Sequence, residues 1–231
     1  MKSKFFALSM CVVLLFSSCG TWKNTAWGSA IGTAAGTAIG LGIGYWADRN
    51  SDSNTGKIVG ASVGAAVGAT TGALIGRKMD KAAAAAKEVE GAQVETVEVN
   101  GLPAVKVTFD SGILFGFNSS SLNSEAKAAL VEFAEVLKTT PDADVAILGH
   151  TDNVGTEKAN QSVSEKRAVA VASFLTEQGV GTQIKDVLGM SFNQPVADNE
   201  TEEGRAQNRR VEVYMYAGQA MIDAANAEAA N

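Results

Sequence analysis

Residues 149–168 read G-H-T-D-N-V-G-T-E-K-A-N-Q-S-V-S-E-K-R-A, and they set an acid and a base on two different elements. The preceding V-A-I-L, residues 145–148, is an apolar run with the character of a strand, and it delivers His150, Thr151 and Asp152 to a loop. Arg167 follows fifteen residues after Asp152, in the first turns of a helix. The spacing Ser162-x-x-Glu165 predicts a capping box there, Val171, Phe174 and Leu175 form the buried face, and Gly179 supplies the stop. A loop-borne carboxylate facing a helix-borne guanidinium makes a two-pronged clamp for a molecule that carries both an ammonium and a carboxylate.

Working outward, residues 94–99 and 104–109 alternate around Asn100-Gly101, the commonest signal for a type I′ hairpin. Residues 113–117 read as a further short strand. Leu122 opens a helical pattern with Leu130, Phe133 and Leu137 on one face, and Pro141 closes it. Residues 187–190 and 211–216 complete the sheet. The expected fold class is an α/β two-layer sandwich over residues 92–217, ordered β-α-β-α-β-β, with a mixed sheet and its helices on one face. About 125 residues suffice for one core. Residues 218–231, small and rich in alanine, read as a flexible tail.

Residues 149–168, together with Gly189, Pro195, Asn199 and the run E-G-R-A-Q-N-R-R-V-E-V at 203–213, resemble the OmpA-like C-terminal domain. The resemblance covers residues 93–216. That family binds peptidoglycan non-covalently, its ligand being the free zwitterionic end of diaminopimelate in the stem peptide. Matched position by position, the resemblance implies that Asp152 holds the ammonium and Arg167 the carboxylate. Arginine suits that part because its planar fork meets a carboxylate through two charge-assisted hydrogen bonds. Thr151 and Asn160 would hydrogen-bond around the same ligand, with the positive end of the helix adding its dipole. Arg209 matches a second arginine that borders the pocket. Thr201, Glu203, Gly204, Arg205 and Asn208 match positions that pin the last loop and strand. Two departures stand out: Gly116 replaces the Asp or Asn common in the family, and Val163 replaces a leucine.

His150 is the sole histidine, so it invites a catalytic or metal reading. A Ser-His-Asp site needs a nucleophile on a strained turn, and the chain has no G-x-S-x-G. One histidine without a cysteine cluster does not make a usual zinc site. The expectation is a binding protein, not an enzyme, without cofactor or metal.

The N-terminus suggests where such binding takes place. Lys2 and Lys4 precede an apolar run from residue 5 to 16, then Ser17-Ser18-Cys19, the layout of a secretory signal too short to span a bilayer. Small residues ending at a cysteine resemble a bacterial lipoprotein signal, residues 1–18, cleaved before an acylated Cys19; Phe16 departs from the usual leucine. Cys11 would leave with the signal, so the mature fold would stand on packing, without a disulfide. Losing Lys2 and Lys4 takes the formal net charge from −6 to −8. An acidic chain with no basic stripe excludes nucleic acid as a natural partner. Gly20, rather than an aspartate after the cysteine, resembles the signal for transfer to the outer membrane, with residues 19–25 as a lipidated tether.

Glycines fall at 28, 32, 36, 40 and 44, then at 56, 60, 64, 68, 72 and 76. A period of four aligns a glycine stripe along one helix face. Each such glycine costs about 1 kcal/mol against alanine, so each helix gives up roughly 5 kcal/mol. Close backbone approach, as in small-xxx-small packing, compensates that loss. Residues 48–54 are polar and form a turn, so residues 26–78 read as a glycine-zipper helical hairpin. The 19 residues 58–76 would span about 28 Å, just a bilayer's thickness, but they hold few large apolar side chains. Two readings stay open: a weakly inserted membrane hairpin, or a spacer packed on itself or on a second copy. Residues 79–91 then serve as a helical connector.

The whole chain therefore reads as an outer-membrane lipoprotein whose periplasmic domain grips the stem peptide and ties the membrane to the wall. The alternative is a self-assembling glycine-zipper membrane protein, a homo-oligomer that wall binding only positions.

Overall fold

The computed structural model describes residues 68–115 and 119–230. The signal segment, Cys19, the tether, most of the glycine hairpin and Gly116 lie outside the described residues.

Five strands form one mixed sheet in the order β1-β2-β5-β3-β4. Strands β1 (Ala92–Val99) and β2 (Leu102–Asp110) make the expected hairpin, with Val99 opposite Leu102. Asn100 and Gly101 sit at φ 54° and 77°, the two left-handed residues that a type I′ turn requires. Strand β3 (Ala143–Gly149) runs parallel to β4 (Ile184–Gly189) and antiparallel to β5 (Arg210–Ala217), which also pairs antiparallel with β2.

Alternation along the strands separates two faces. Val105, Val107, Phe109, Val145, Ile147, Val211, Val213 and Met215 point into one large core. Helices α1 (Ala69–Ala86), α3 (Ser124–Lys138), α4 (Glu157–Leu175) and α6 (Gln219–Ala229) all contribute to that core, so the helices share one face as expected. Phe109 of the sheet meets Phe133 of α3 edge to face, centroids 5.8 Å apart. On the opposite face Val99, Ala104, Ala146, Leu148, Met190 and Tyr214 form a smaller cluster.

Three expectations about local elements need correction. Of the strand expected at residues 113–117, the described residues 113–115 make none: Asp110 accepts from the Gly112 N–H at 2.7 Å and opens a helical turn, α2 (Ser111–Leu114). Phe115 then makes an isolated bridge to Leu122, which precedes α3 instead of opening it. Asn123 caps α3, accepting from the Ala126 N–H. The supposed capping box at Ser162 lies inside α4, which starts five residues earlier. Gly155 at φ 101° turns the chain, and Thr156 Oγ1 accepts from the Ala159 N–H.

The connector and the tail also differ. Helix α1 begins at Ala69, inside the range given to the hairpin, and buries Ile75, Met79, Ala82, Ala83 and Ala86 in the main core. It is part of the folded unit, not a spacer. Residues 219–229 are helical, with Met221, Ile222 and Ala225 buried and Asn226 accepting from Thr71 Oγ1 at 2.8 Å. Their spacing places three apolar side chains on one stripe. No described helix is long and apolar enough to cross a membrane.

Candidate functional site

The parallel strands β3 and β4 end on Gly149 and Gly189, and α4 crosses both there. A side chain at Gly149 would overlap the Ser164 carbonyl oxygen, and one at Gly189 would come within 2.6 Å of the Glu165 nitrogen. Only glycine allows that approach, and it brings the third turn of α4, with Arg167, over the strand ends. Arg167 thus lies deeper in the helix than the first turns expected of it.

The loop leaving β3 is fixed on both sides. His150 N–H donates to the Arg210 carbonyl and Thr151 N–H to the Ser191 carbonyl, each at 2.9 Å. Asp152 follows, its side chain nearly buried. Its Oδ1 accepts from the Val154 N–H at 3.0 Å, and its Oδ2 accepts from Arg209 Nη1 at 2.8 Å. Asn160, on the first turn of α4, donates through Nδ2 to the Val154 carbonyl at 3.1 Å and so braces the same loop. The hydroxyls of Thr151 and Ser191 are buried without a partner among the described residues.

Arg167 is held by its edge and its face. Nε donates to the Ser119 carbonyl at 3.2 Å, Nη1 to Ser111 Oγ at 3.4 Å, and the guanidinium lies 5.1 Å over the Phe115 ring. Burial and the nearby Arg209 lower its pKa from the ordinary arginine value, with Asp152 opposing. Among the described residues, no carboxylate is in ion-pair range of Arg167, and Asp152 pairs with Arg209 instead. The simplest alternative to a clamp, a direct Asp152–Arg167 surface pair, is therefore absent from this geometry.

All five expected side chains gather at this end of the sheet. Asp152, Thr151 and Asn160 belong to the loop and helix start, Arg167 reaches in from α4, and Arg209 from the end of α5 (Glu202–Asn208). Sequence reasoning missed the supports. Ser111, Phe115 and Ser119 carry no motif of their own, and only the fold brings them under Arg167. It also missed Glu202, which accepts from Arg209 Nη2 at 3.0 Å. The pinning loop is as expected: Asn208 Oδ1 accepts from the N–H groups of Val196 and Ala197, and its Nδ2 donates to Asn199.

His150 has a structural setting on the open sheet face. It is fully buried, with Nε2 3.6 Å from Glu212 Oε2 and no hydrogen bond to either ring nitrogen. Glu212 accepts from Arg210 Nε and from the Tyr214 hydroxyl, both at 2.7 Å. Burial disfavours the Glu212 carboxylate, yet His150, Arg210 and Tyr214 together hold its pKa well below the usual range. Among the described residues no group of His, Cys, Asp or Glu is arranged to hold a metal.

Comparison with known proteins bears on this arrangement. The OmpA family model matches residues 114–209, and the model of the YMGG-like Gly-zipper matches residues 1–80. Outer-membrane lipoprotein YfiB of Pseudomonas aeruginosa is 41% identical over 103 residues, 45% of this chain and 61% of that protein. Peptidoglycan-binding protein ArfA of Mycobacterium tuberculosis is 40% identical over 110 residues, 48% of this chain and 34% of that protein. Among solved structures, the cell wall anchor of the T6SS from Pseudomonas aeruginosa superposes with a TM-score of 0.50 at 30% identity, covering 61% of this chain and 97% of that one. The chain spans between about a third and three fifths of the length of the curated relatives it matches. This chain covers that anchor almost from end to end, and the family match runs from the turn beneath Arg167 to Arg209 itself, so residues 114–209 form a domain of the OmpA family, preceded in sequence by a segment that matches the YMGG-like Gly-zipper.

Proposed function

We propose that the domain binds peptidoglycan non-covalently by gripping the zwitterionic end of diaminopimelate, and that an acylated Cys19 ties this grip to the outer membrane. Asp152 takes the ammonium and Arg167 the carboxylate, while Thr151 and Asn160 hydrogen-bond around the ligand and Arg209 borders it. The observation that carries the reading is Arg167: a buried guanidinium, oriented by Ser111, Ser119 and Phe115, without a carboxylate partner among the described residues. A buried charge gains most from a partner that completes its hydrogen bonds, and a ligand carboxylate does so through the fork. The similarity to ArfA, a peptidoglycan-binding protein, and to the cell wall anchor of the T6SS supports the same ligand class.

Co-sedimentation of the mature chain with purified peptidoglycan tests the site. Removing one side of a desolvated charge pair costs about 2–5 kcal/mol, or roughly 30-fold or more in affinity. Asp152→Ala and Arg167→Ala are each expected to lose nearly all binding, and the double variant to lose little more. Arg167→Lys fails substantially, since a point charge does not reproduce the fork. Circular dichroism checks that all remain folded. Folded variants that still sediment like wild type would end this assignment.

A further inference from the structure

Arg209 is stretched between two carboxylates of different exposure. Nη1 donates to Asp152, whose side chain is 12% exposed, and Nη2 to Glu202, which is 64% exposed. Glu202 does not depend on Arg209 for its position. Its other oxygen, Oε2, accepts from both Nε and Nη2 of Arg205, one turn along α5. Arg205 in turn donates to the carbonyls of Asn199 and Glu200. An ion-pair chain Asp152–Arg209–Glu202–Arg205 thus runs from the candidate site out to the surface, with Arg167 beside its inner end.

We infer that Arg209 is the site's own substitute for the ligand's ammonium, and that Glu202 is the acceptor to which it withdraws when the ligand binds. The inference rests on Asp152 being the ammonium partner. A buried carboxylate left unpaired is strongly unfavourable, so Asp152 needs a cation before any ligand arrives. An incoming ammonium competes with Nη1 for Oδ2. A guanidinium with no other partner would resist that exchange. Arg209 already holds Glu202 with its second prong, so it leaves Asp152 while staying paired. Glu202 touches no ligand in this scheme. It is a positioning residue that sets affinity for ligands with a free ammonium.

The test is calorimetric titration of the mature chain in detergent with a soluble disaccharide-tetrapeptide containing diaminopimelate. A second probe is the same compound with its amino end acetylated. Glu202→Gln keeps the size of the side chain and the Thr201 cap but removes the charge. It is expected to weaken binding of the free-amine probe about three-fold, the scale of one exposed ion pair. Arg209→Gln leaves Asp152 open and is expected to tighten binding about three-fold or more. Glu202→Gln added to Arg209→Gln changes nothing further, and the acetylated probe is indifferent to Glu202→Gln. Weaker binding in Arg209→Gln, or an equal loss from Glu202→Gln with and without Arg209, overturns the inference. Wild-type affinity in Asp152→Ala and Arg167→Ala would instead place the failure in the site assignment beneath it.

Discussion

Gly149 and Gly189 show how one missing side chain can place a binding residue. Both lie against the backbone of α4, so adding a methyl group moves the helix that carries Arg167. Gly149→Ala is expected to cost about 1–3 kcal/mol by overpacking and to weaken peptidoglycan binding as well. Urea unfolding and co-sedimentation measure the two effects, and a fully stable, fully binding variant would mean that the crossing is looser than described. His150 gives a pH prediction. Burial lowers its pKa below 6.5, against a smaller opposing effect of Glu212. The native state therefore binds fewer protons than the unfolded chain below pH 6.5, and stability falls as pH drops from there toward the folded-state pKa. His150→Gln should flatten that slope between about pH 6.5 and 5, above the main carboxylate range. Asp152 and Arg167 were legible in the sequence because a dense motif surrounds them. The Arg209–Asp152 bond was not, since its partners are 57 positions apart and no local spacing encodes it.

At the scale of elements, legibility follows the length of the pattern. The long alternations of β1 and β2, and the turn residues between them, gave the hairpin. A five-residue apolar run such as 113–117 cannot separate strand from helix by periodicity, and the Asp110 cap decided it. At α4 two starts competed, and the backbone turn at Gly155 outweighed the Ser162 spacing. Thr156→Ala should cost about 1 kcal/mol as a lost cap, with Ser162→Ala close to neutral, measured by thermal unfolding. Helix α1 was recognised as helix but assigned the wrong duty, because alanines at 82, 83 and 86 look like a spacer until a sheet is laid against them. Met79→Ala should cost about 2–5 kcal/mol. A fragment of residues 92–217 loses the whole α1 and α6 side of the core, so it should unfold at lower denaturant than residues 68–230.

For the whole molecule the open question is whether the glycine segment ties the domain to a membrane or assembles copies of the chain. The two readings separate because part of the stripe can be changed without touching the domain. At Gly68 and Gly72 an added Cβ meets no described atom within 4 Å. Gly68→Leu with Gly72→Leu should therefore leave domain stability intact while filling the stripe through which helices approach. If the stripe closes a hairpin within each chain, cross-linking between cysteines placed on the two glycine runs falls sharply. Oligomeric state and wall binding then stay unchanged. If it joins chains, sedimentation velocity in detergent shows discrete oligomers for wild type that dissociate in the double leucine variant, and multivalent wall binding falls with them. Cys19→Ser supplies the independent arm. Loss of lipid label and of outer-membrane fractionation, with wall binding retained by the purified protein, supports a tether whose two ends act separately. Unchanged mass and unchanged fractionation in that variant would remove the lipid anchor from the account and leave the glycine segment as its remaining route to the membrane.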